Sequence, residues 1–312
     1  MSNTINKILD QFTGAMANAG IVTDDTITAD GHLHRIHVEG QRRGSRNAAY
    51  ILHSDGFPAG WFMDFKTGTT GTWSLGGGRW QPDEVARRQI EEAKEKRKLE
   101  TEARQAECAK RARSLWDSAI PCHSHPYLSR KQAQAHGLRL ASWAKWAGGP
   151  GDWLTVAIPD ALLIPLRDEF GNLWNVQGIF PEVHPDLGRD RDFMPGRTQG
   201  LFHWIGQPTP TIMVCEGYAT GASIHEMTGN RVYVAFSAHN LKPVAQIIRK
   251  HRPEAEIIVC ADNDRFTPGN PGVKYAKEAA IAVKGKVSIP EFPEGCTGTD
   301  WNDLYLLENA HG

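Results

Sequence analysis

The 312-residue sequence is poor in several features that would each have settled a class. It holds five cysteines (Cys108, Cys122, Cys215, Cys260 and Cys296), odd in number and without a Cys-x-x-Cys pair. That pattern speaks against a zinc ribbon and a disulfide framework, and it fits a reducing cytoplasm. No Walker-type glycine-lysine loop occurs, so no helicase motor is expected and any unwinding needs a partner. No apolar run approaches the ~20 residues of a membrane span. No signal-peptide pattern opens the chain, whose first residues read as an ordinary polar-apolar helix from Asn3 to Ala19. An excess of positive charge is missing too: 35 Lys and Arg against 36 Asp and Glu leave a net charge of −1. Contact with nucleic acid would therefore have to come from local patches, because attraction to phosphate is short-ranged in salt.

Present instead is a strongly patterned C-terminal third. Two short apolar runs, Thr211 to Cys215 and Glu256 to Ala261, are each followed at once by acid: Glu216-Gly217-Tyr218 and Asp262-Asn263-Asp264. Such runs predict strands buried on both faces. Between them lie a helical pattern (Ala219 to Met227), a third strand (Arg231 to Phe236) and a second helix (Asn240 to Lys250). The order βαβαβ predicts a parallel sheet with right-handed crossovers, and in such sheets ligand chemistry sits beyond the carboxyl ends of the strands. Glu216, Asp262 and Asp264 all fall there. A further helix (Val273 to Lys284) and strand (Lys286 to Ile289) lead to Asp300-Trp301-Asn302-Asp303, which brings two more carboxylates to the same rim. Asp300 suits either the cap of a helix from Trp301 to Glu308 or a metal. Carboxylates gathered on one edge repel, and a divalent cation with a taste for hard oxygen, Mg²⁺ or Mn²⁺, would offset that repulsion.

Glu-Gly-Tyr, then Asp-Asn-Asp, then Asp-Trp-Asn-Asp in this order on this frame resembles the Toprim domain, shared by bacterial-type primases, topoisomerases and some nucleases. The stretch Arg265-Phe266 through Asn270-Pro271-Gly272 and Lys274 to Ala280 is similar to that of plasmid and phage Toprim primases. The resemblance implies a Rossmann-like α/β fold, with Glu216 as the general acid/base or metal-organising carboxylate and Asp262 and Asp264 as metal ligands. The sequence departs from it at Thr220, where replicative members carry a further acid. Asp300 or Asp303 is expected to fill that position.

Upstream, residues 1–81 read as a small α+β module. After the first helix, His34 to Val38, Ala49 to His53 and Gly60 to Phe65 alternate apolar and polar residues as antiparallel strands do. Arg42, Arg43, Arg46 and Lys66 lie close in sequence to Trp61, Phe62, Phe65 and Trp73, a mixture that suits single-stranded nucleic acid. The set is equally the makeup of a small core with solvated arginines. Part of this module also resembles regions found beside plasmid Toprim primases. His32, His34 and His37 lack a fourth partner for a metal. Residues 82–119 are helix formers with dense mixed charge, opened by Pro82, Asp83 and Glu84, and predict a solvated bridging helix.

Residues 120–206 and 207–312 are then expected to form one catalytic core. The first holds a helix from Pro126 to His136, closed by Gly137. A hairpin follows, of Leu162 to Arg167 and Leu173 to Ile179, and then a basic strand around Arg191 to Arg197. The combination resembles the α+β N-terminal subdomain of a primase core, which topoisomerases and nucleases lack. By that resemblance Lys131, Arg130, Arg189, Arg191 and Arg197, with Lys242 and Arg265 opposite, hold template and ribonucleoside triphosphate. The function expected is synthesis of short RNA primers on single-stranded DNA in plasmid or phage replication, with a replicative helicase on another chain. Two alternatives stay open: a metal-dependent Toprim nuclease, and a non-catalytic single-stranded-DNA-binding accessory protein.

Overall fold

The computed structural model describes residues 2–42, 44–55, 57–76, 84–147, 154–185 and 187–310. Arg43, Pro82 and Asp83, singled out above, lie outside them. The chain divides into two compact units, Met1–Thr101 and Glu102–Gly312. Among the described residues no helix is long and apolar enough to cross a membrane.

In the first unit a helix, α1 (Ser2–Asn18), covers one face of a four-stranded antiparallel meander. Its strands are β1 (Asp30–Ile36), β2 (Ala48–His53), β3 (Ala59–Asp64) and β4 (Thr70–Ser74). Phe12 of α1 anchors the packing, with ring centroids 5.7 Å from Tyr50, 5.9 Å from Phe62 and 5.9 Å from Trp73. Gly60 lies directly beneath Phe12, and a Cβ there would enter its ring. The aromatics therefore divide by strand parity: Phe62 and Trp73 belong to the core, whereas Trp61 and Phe65 lie on the other face, where Arg35 sits 4.2 Å over Phe65.

The charged helix α2 (Glu84–Ser118) carries the boundary between the units. It is laced by short-range pairs such as Arg88–Glu92 at 3.0 Å and Arg111–Glu107 at 3.1 Å. Exposed pairs of this kind contribute only about 0.3–0.5 kcal/mol each.

The second unit holds two five-stranded sheets. The first is antiparallel, β5 (Ile120–Pro121), β6 (Arg139–Ala147), β7 (Leu154–Arg167), β8 (Leu173–His184) and β9 (Arg189–Phe193), in that order, with α3 (Pro126–Lys131) between β5 and β6. The expected hairpin is present with longer arms. The helix expected to reach His136 ends at Lys131, because Gln132 turns left-handed (φ 47°) and caps the carbonyls of Leu128 and Ser129 with its amide. That turn lets Ala133 and Leu138 enter the same core as Leu128.

The second sheet runs β10-β12-β11-β13-β14, with β10 (His203–Ile205), β11 (Thr211–Cys215), β12 (Arg231–Val234), β13 (Glu256–Cys260) and β14 (Lys286–Ser288). Only β10 is antiparallel. Its helices are α4 (Tyr218–Thr228), α5 (Ala238–His251), α6 (Pro271–Ala282) and α7 (Trp301–Ala310). Alternate residues of β11 serve two cores. Cys215 packs with α4 and with Leu162 and Ile164 of β7, while Ile212 and Val214 pack with α5 and α6. From β11 the chain passes to β12 on one side, and from neighbouring β13 it passes to β14 on the other. The gap between the carboxyl ends of β11 and β13 is thus a topological switch point, where open α/β sheets form their clefts.

Candidate active site at the carboxyl edge of the parallel sheet

Glu216 follows β11 directly, and Asp262 follows β13 by two residues. Between them opens a cleft of about 400 Å³. Its walls include Glu216, Asp262 and Asp300 from the parallel sheet's edge, with Lys131 of α3, Gln177 of β8 and Arg191 of β9. Tyr127, Phe193, Tyr218 and Phe236 add aromatic rings to them.

The Asp262–Asp264 loop is built by its own amides. Asn263 donates its backbone N–H to Thr299 O at 2.6 Å and its side-chain amide to Pro290 O at 3.1 Å. Asn270 binds the Asn263 side chain at 2.8 Å. Gly272, opening α6, donates to Asp264 Oδ2 at 2.9 Å. On the facing edge Asp300 caps α7, accepting the Asp303 amide at 2.9 Å, and Asp303 Oδ2 accepts the Thr299 amide at 3.0 Å. Of the two roles expected for Asp300, the cap is present, and the residue also lines the cleft.

Electrostatically the carboxylates are in conflict. Burial pushes Asp262 up to about 8, and the charges of Glu216, Asp300, Asp264 and Asp303 add to the rise. Burial lifts Glu216 to about 7, with Asp264 contributing. Asp300 is raised as well, chiefly by burial, against the amide bond from Asp303. Asp262 Oδ1 is buried and has no hydrogen-bond partner among the described residues. Among those residues no three His, Cys, Asp or Glu side chains close on one point as a finished metal site. A buried, orphaned carboxylate oxygen amid mutually repelling acids is nevertheless the donor chemistry that a hard divalent cation satisfies.

The other sequence candidates separate into two groups. Lys131 and Arg191 face the cleft; Lys131 Nζ lies 3.5 Å from Asp303 Oδ1, and Arg191 is paired with Asp190 at 2.9 Å and lies 5.7 Å from the Tyr127 ring. The rest do not line the cleft. Arg130 bonds Pro181 O, Arg189 pairs with Asp192, and Arg197 bonds Gln199 O while lying 5.4 Å from the Trp174 ring. Lys242 is exposed on α5, and Arg265 bonds Cys296 O between the rings of Phe266 and Phe292. In the first unit, His34 bonds Asp30 Oδ1 at 2.8 Å, the backbone amide of His32 donates to the same oxygen at 2.9 Å, and His37 bonds Ser45 O at 2.9 Å.

Sequence reasoning passed over Gln177, Phe193 and Phe236 as cleft walls. Gln177 did carry a signal, being with Asn175 one of two amides within the apolar run of β8. It also missed Asn302, which is fully buried and donates to Lys131 O at 2.7 Å and Ser223 Oγ at 2.9 Å. That amide fastens α7 to α3. Tyr218 makes a parallel fastening, its hydroxyl donating toward the carbonyls of Gln134 (2.9 Å) and Ala135 (2.8 Å). It is thus held as a packing residue in the wall of the cleft.

Carboxylates on the open edge of a parallel sheet, at its switch point, define the class: residues 211–310 match the Toprim domain family, and this part of the chain is a Toprim domain. Beyond that domain the likeness extends to particular proteins. A DNA primase TraC of Escherichia coli is 33% identical over 301 residues, 92% of this chain and 27% of that protein. A second TraC is 32% identical over 300 residues, 91% of this chain and 19% of the other. The chain thus spans about a quarter of the length of the curated relatives it matches. Among solved structures, a DnaG primase catalytic domain bound to ssDNA aligns with a TM-score of 0.47 and 14% identity, over 67% of this chain and 77% of that one. The RNA polymerase domain of Mycobacterium tuberculosis DnaG aligns at 0.46 and 14%, over 65% and 79%.

Proposed function

We propose that this chain is the catalytic part of a DNA primase, which synthesises short RNA primers on single-stranded DNA by metal-dependent nucleotidyl transfer. The observation that carries the reading is the facing of the Toprim acids by Lys131 and Arg191 from the neighbouring antiparallel sheet, in one cleft. Likeness to TraC over 92% of the chain, well beyond the Toprim domain, supports it over a nuclease that shares the Toprim part alone.

In this reading residues 120–206 and 207–312 work as one core. Glu216, Asp262 and Asp264, with Asp300 or Asp303 beside them, would hold a divalent cation, Mg²⁺ or Mn²⁺, whose charge would stabilise attack of a ribose 3′-oxygen on an α-phosphate as the bond to the departing pyrophosphate breaks. Lys131 and Arg191 neutralise the triphosphate; the guanidinium serves as a fork and the ammonium as a point charge. Phe193 and Phe236, 5.9 Å apart and edge to face, limit where a base and sugar can lie. Glu216 is the general acid/base or the carboxylate that organises the cation; its lift to about 7 by burial belongs to the cation-free cleft. The exposed Arg35–Phe65 pair and Trp61 give the first unit a surface for template. Opening of a duplex is left to a replicative helicase.

The test is primer synthesis on a mixed-sequence single-stranded template with labelled ribonucleotides and either cation, native protein against Asp262→Asn. Short labelled products that vanish in the variant are expected. Template shortening in place of products would make the chain a nuclease, and bound template with neither outcome would make it an accessory protein.

A further inference from the structure

On the face of the antiparallel sheet turned away from the cleft, arginines and aromatic rings alternate in one line. Arg139 lies opposite Leu163 in the β6–β7 ladder, and Arg167 is four residues further along β7. Both therefore have the opposite parity to Ile164, whose partner Gln177 lines the cleft. The guanidinium of Arg139 sits 4.8 Å from the Trp116 ring, and that of Arg167 sits 5.2 Å from Trp116 and 5.4 Å from Trp204. Arg231 is 5.9 Å from Trp204 and 5.8 Å from Tyr233. The line crosses the seam between the two sheets, where Arg167 and Phe202 exchange backbone hydrogen bonds of 2.9 and 3.0 Å. All six side chains are partly exposed.

Many surface arginines of this chain have a carboxylate: Arg88, Arg97, Arg111, Arg189 and Arg191 all do. Arg139, Arg167 and Arg231 have none among the described residues. Arg139 bonds Trp116 O at 2.8 Å and Arg231 bonds Gly206 O at 3.2 Å, both backbone carbonyls. Burial and the charge of Arg139 together press on Arg167. Three positive charges in a row, in a chain of net charge −1, call for an anion from outside. A hollow of about 260 Å³ opens beside Trp204, Arg231 and Tyr233 at the end of the line; Asp168 and Glu169 also line it, but Asp168 is taken up by Trp174 and Asn172 and Glu169 by Lys250 and His251.

We propose that this ladder is a second nucleic-acid contact, which holds the backbone of a single strand on Arg139, Arg167 and Arg231 and takes a base in the hollow beside Trp204 and Tyr233. A single strand repeats one phosphate and one ring per nucleotide, the same alternation the ladder shows, whereas an acidic peptide repeats the charge without the ring. The contact is directed at phosphate and is indifferent to sequence. It lies behind the catalytic cleft and stands on the ladder's uncompensated charge, independently of the polymerase reading.

The test is the salt dependence of binding of a labelled, unstructured oligodeoxynucleotide without added metal, native chain against the Arg139→Gln/Arg167→Gln/Arg231→Gln variant. Every phosphate that the protein no longer neutralises lowers the log–log salt slope by about 0.7 for a single strand, so three lower it by about 2. A slope equal to the native one overturns the proposal. So does tight binding of polyglutamate to the native chain that is absent from the variant while its DNA slope is unchanged, which would assign the ladder to an acidic protein partner. The native protein alone gives a second measurement that no folding defect can disturb. Photo-crosslinking to a strand carrying iodouracil should label Trp204, Tyr233 or Trp116, and labels confined to Tyr127, Phe193 or Phe236 would overturn the proposal. Primer synthesis by the native chain is scored separately, so failure of the polymerase reading leaves both measurements standing.

Discussion

Gly272 donates its amide to Asp264 Oδ2 at 2.9 Å while its α-carbon lies against the carbonyl oxygen of Asp262, so close that no Cβ fits between them. The first turn of α6 and the acidic loop are therefore one rigid piece. Gly272→Ala should push Asp262 away from the cleft and shift Asp264 beside it, with a fall in primer synthesis of tenfold or more and lowered affinity for Mg²⁺ or Mn²⁺. Titration of the cation against protein fluorescence checks the second effect without any turnover. Native affinity in the variant would show that the loop moves freely.

Asp300 does two jobs that substitution can separate. Asp300→Ser keeps an oxygen for the Asp303 amide and removes the charge; Asp300→Ala removes both. The Ala variant should fall about 1 kcal/mol below the Ser variant in stability. Both should lose catalysis to the same degree if the carboxylate matters in the cleft. Denaturant titration and single-turnover synthesis read the two quantities. Activity restored by Ser alone would reduce Asp300 to a cap.

Asn302 ties α7 to α3 from a fully buried position. Asn302→Leu strands the Lys131 carbonyl and the Ser223 hydroxyl, at a cost of about 1–3 kcal/mol. Because Lys131 is held through its backbone, apparent affinity for nucleotide should weaken more than template affinity does. Steady-state kinetics on each substrate in turn separates them, and equal effects on both would mean general loosening.

His203 is buried and neutral, with neither ring nitrogen bonded. Burial, with the nearby charges of Arg167 and His136, presses its pKa from 6.5 down to about 3. The unfolded chain takes up this proton below 6.5 and the folded chain refuses it until about 3. The contribution is therefore fully present above 6.5 and is lost as pH falls toward 3, and it amounts to a few kcal/mol. His203→Leu should flatten the fall of unfolding free energy between pH 6 and 4. An unchanged pH slope would show that water reaches the ring.

The parallel sheet was legible in the sequence because each of its signals is local. The run from Thr211 to Cys215 is β11 to the residue, and the helices around Tyr218, Ala238, Pro271 and Trp301 begin within two residues of their expected starts. Glu216 and Asp262 needed only the rule that sites follow strand ends. Three features were harder to see. The strand β6, Arg139–Ala147, mixes tryptophan, lysine and alanine without clean alternation, and it is held by pairing with β7. The early end of α3 is decided by the core that Ala133 and Leu138 must reach. Which arginines face the cleft depends on register: Arg191 pairs with Ile179 in the ladder, whereas Arg189 pairs with His184 at the far end of β8. Spacing in the sequence treats those two arginines alike.

The division of β7 between two cores has a consequence for how this chain can change. Leu162 and Ile164 pack toward the Toprim side, while Ala161 and Leu163 pack with Trp143 and Phe180 on the other. One residue added or removed there would exchange the two sets at a stroke, turning Arg167 toward the protein interior and an apolar side chain toward the ladder. Two residues would restore the faces while sliding the strand by about one pleat. Length variation in β7 should therefore be tolerated in even steps and rejected in odd ones.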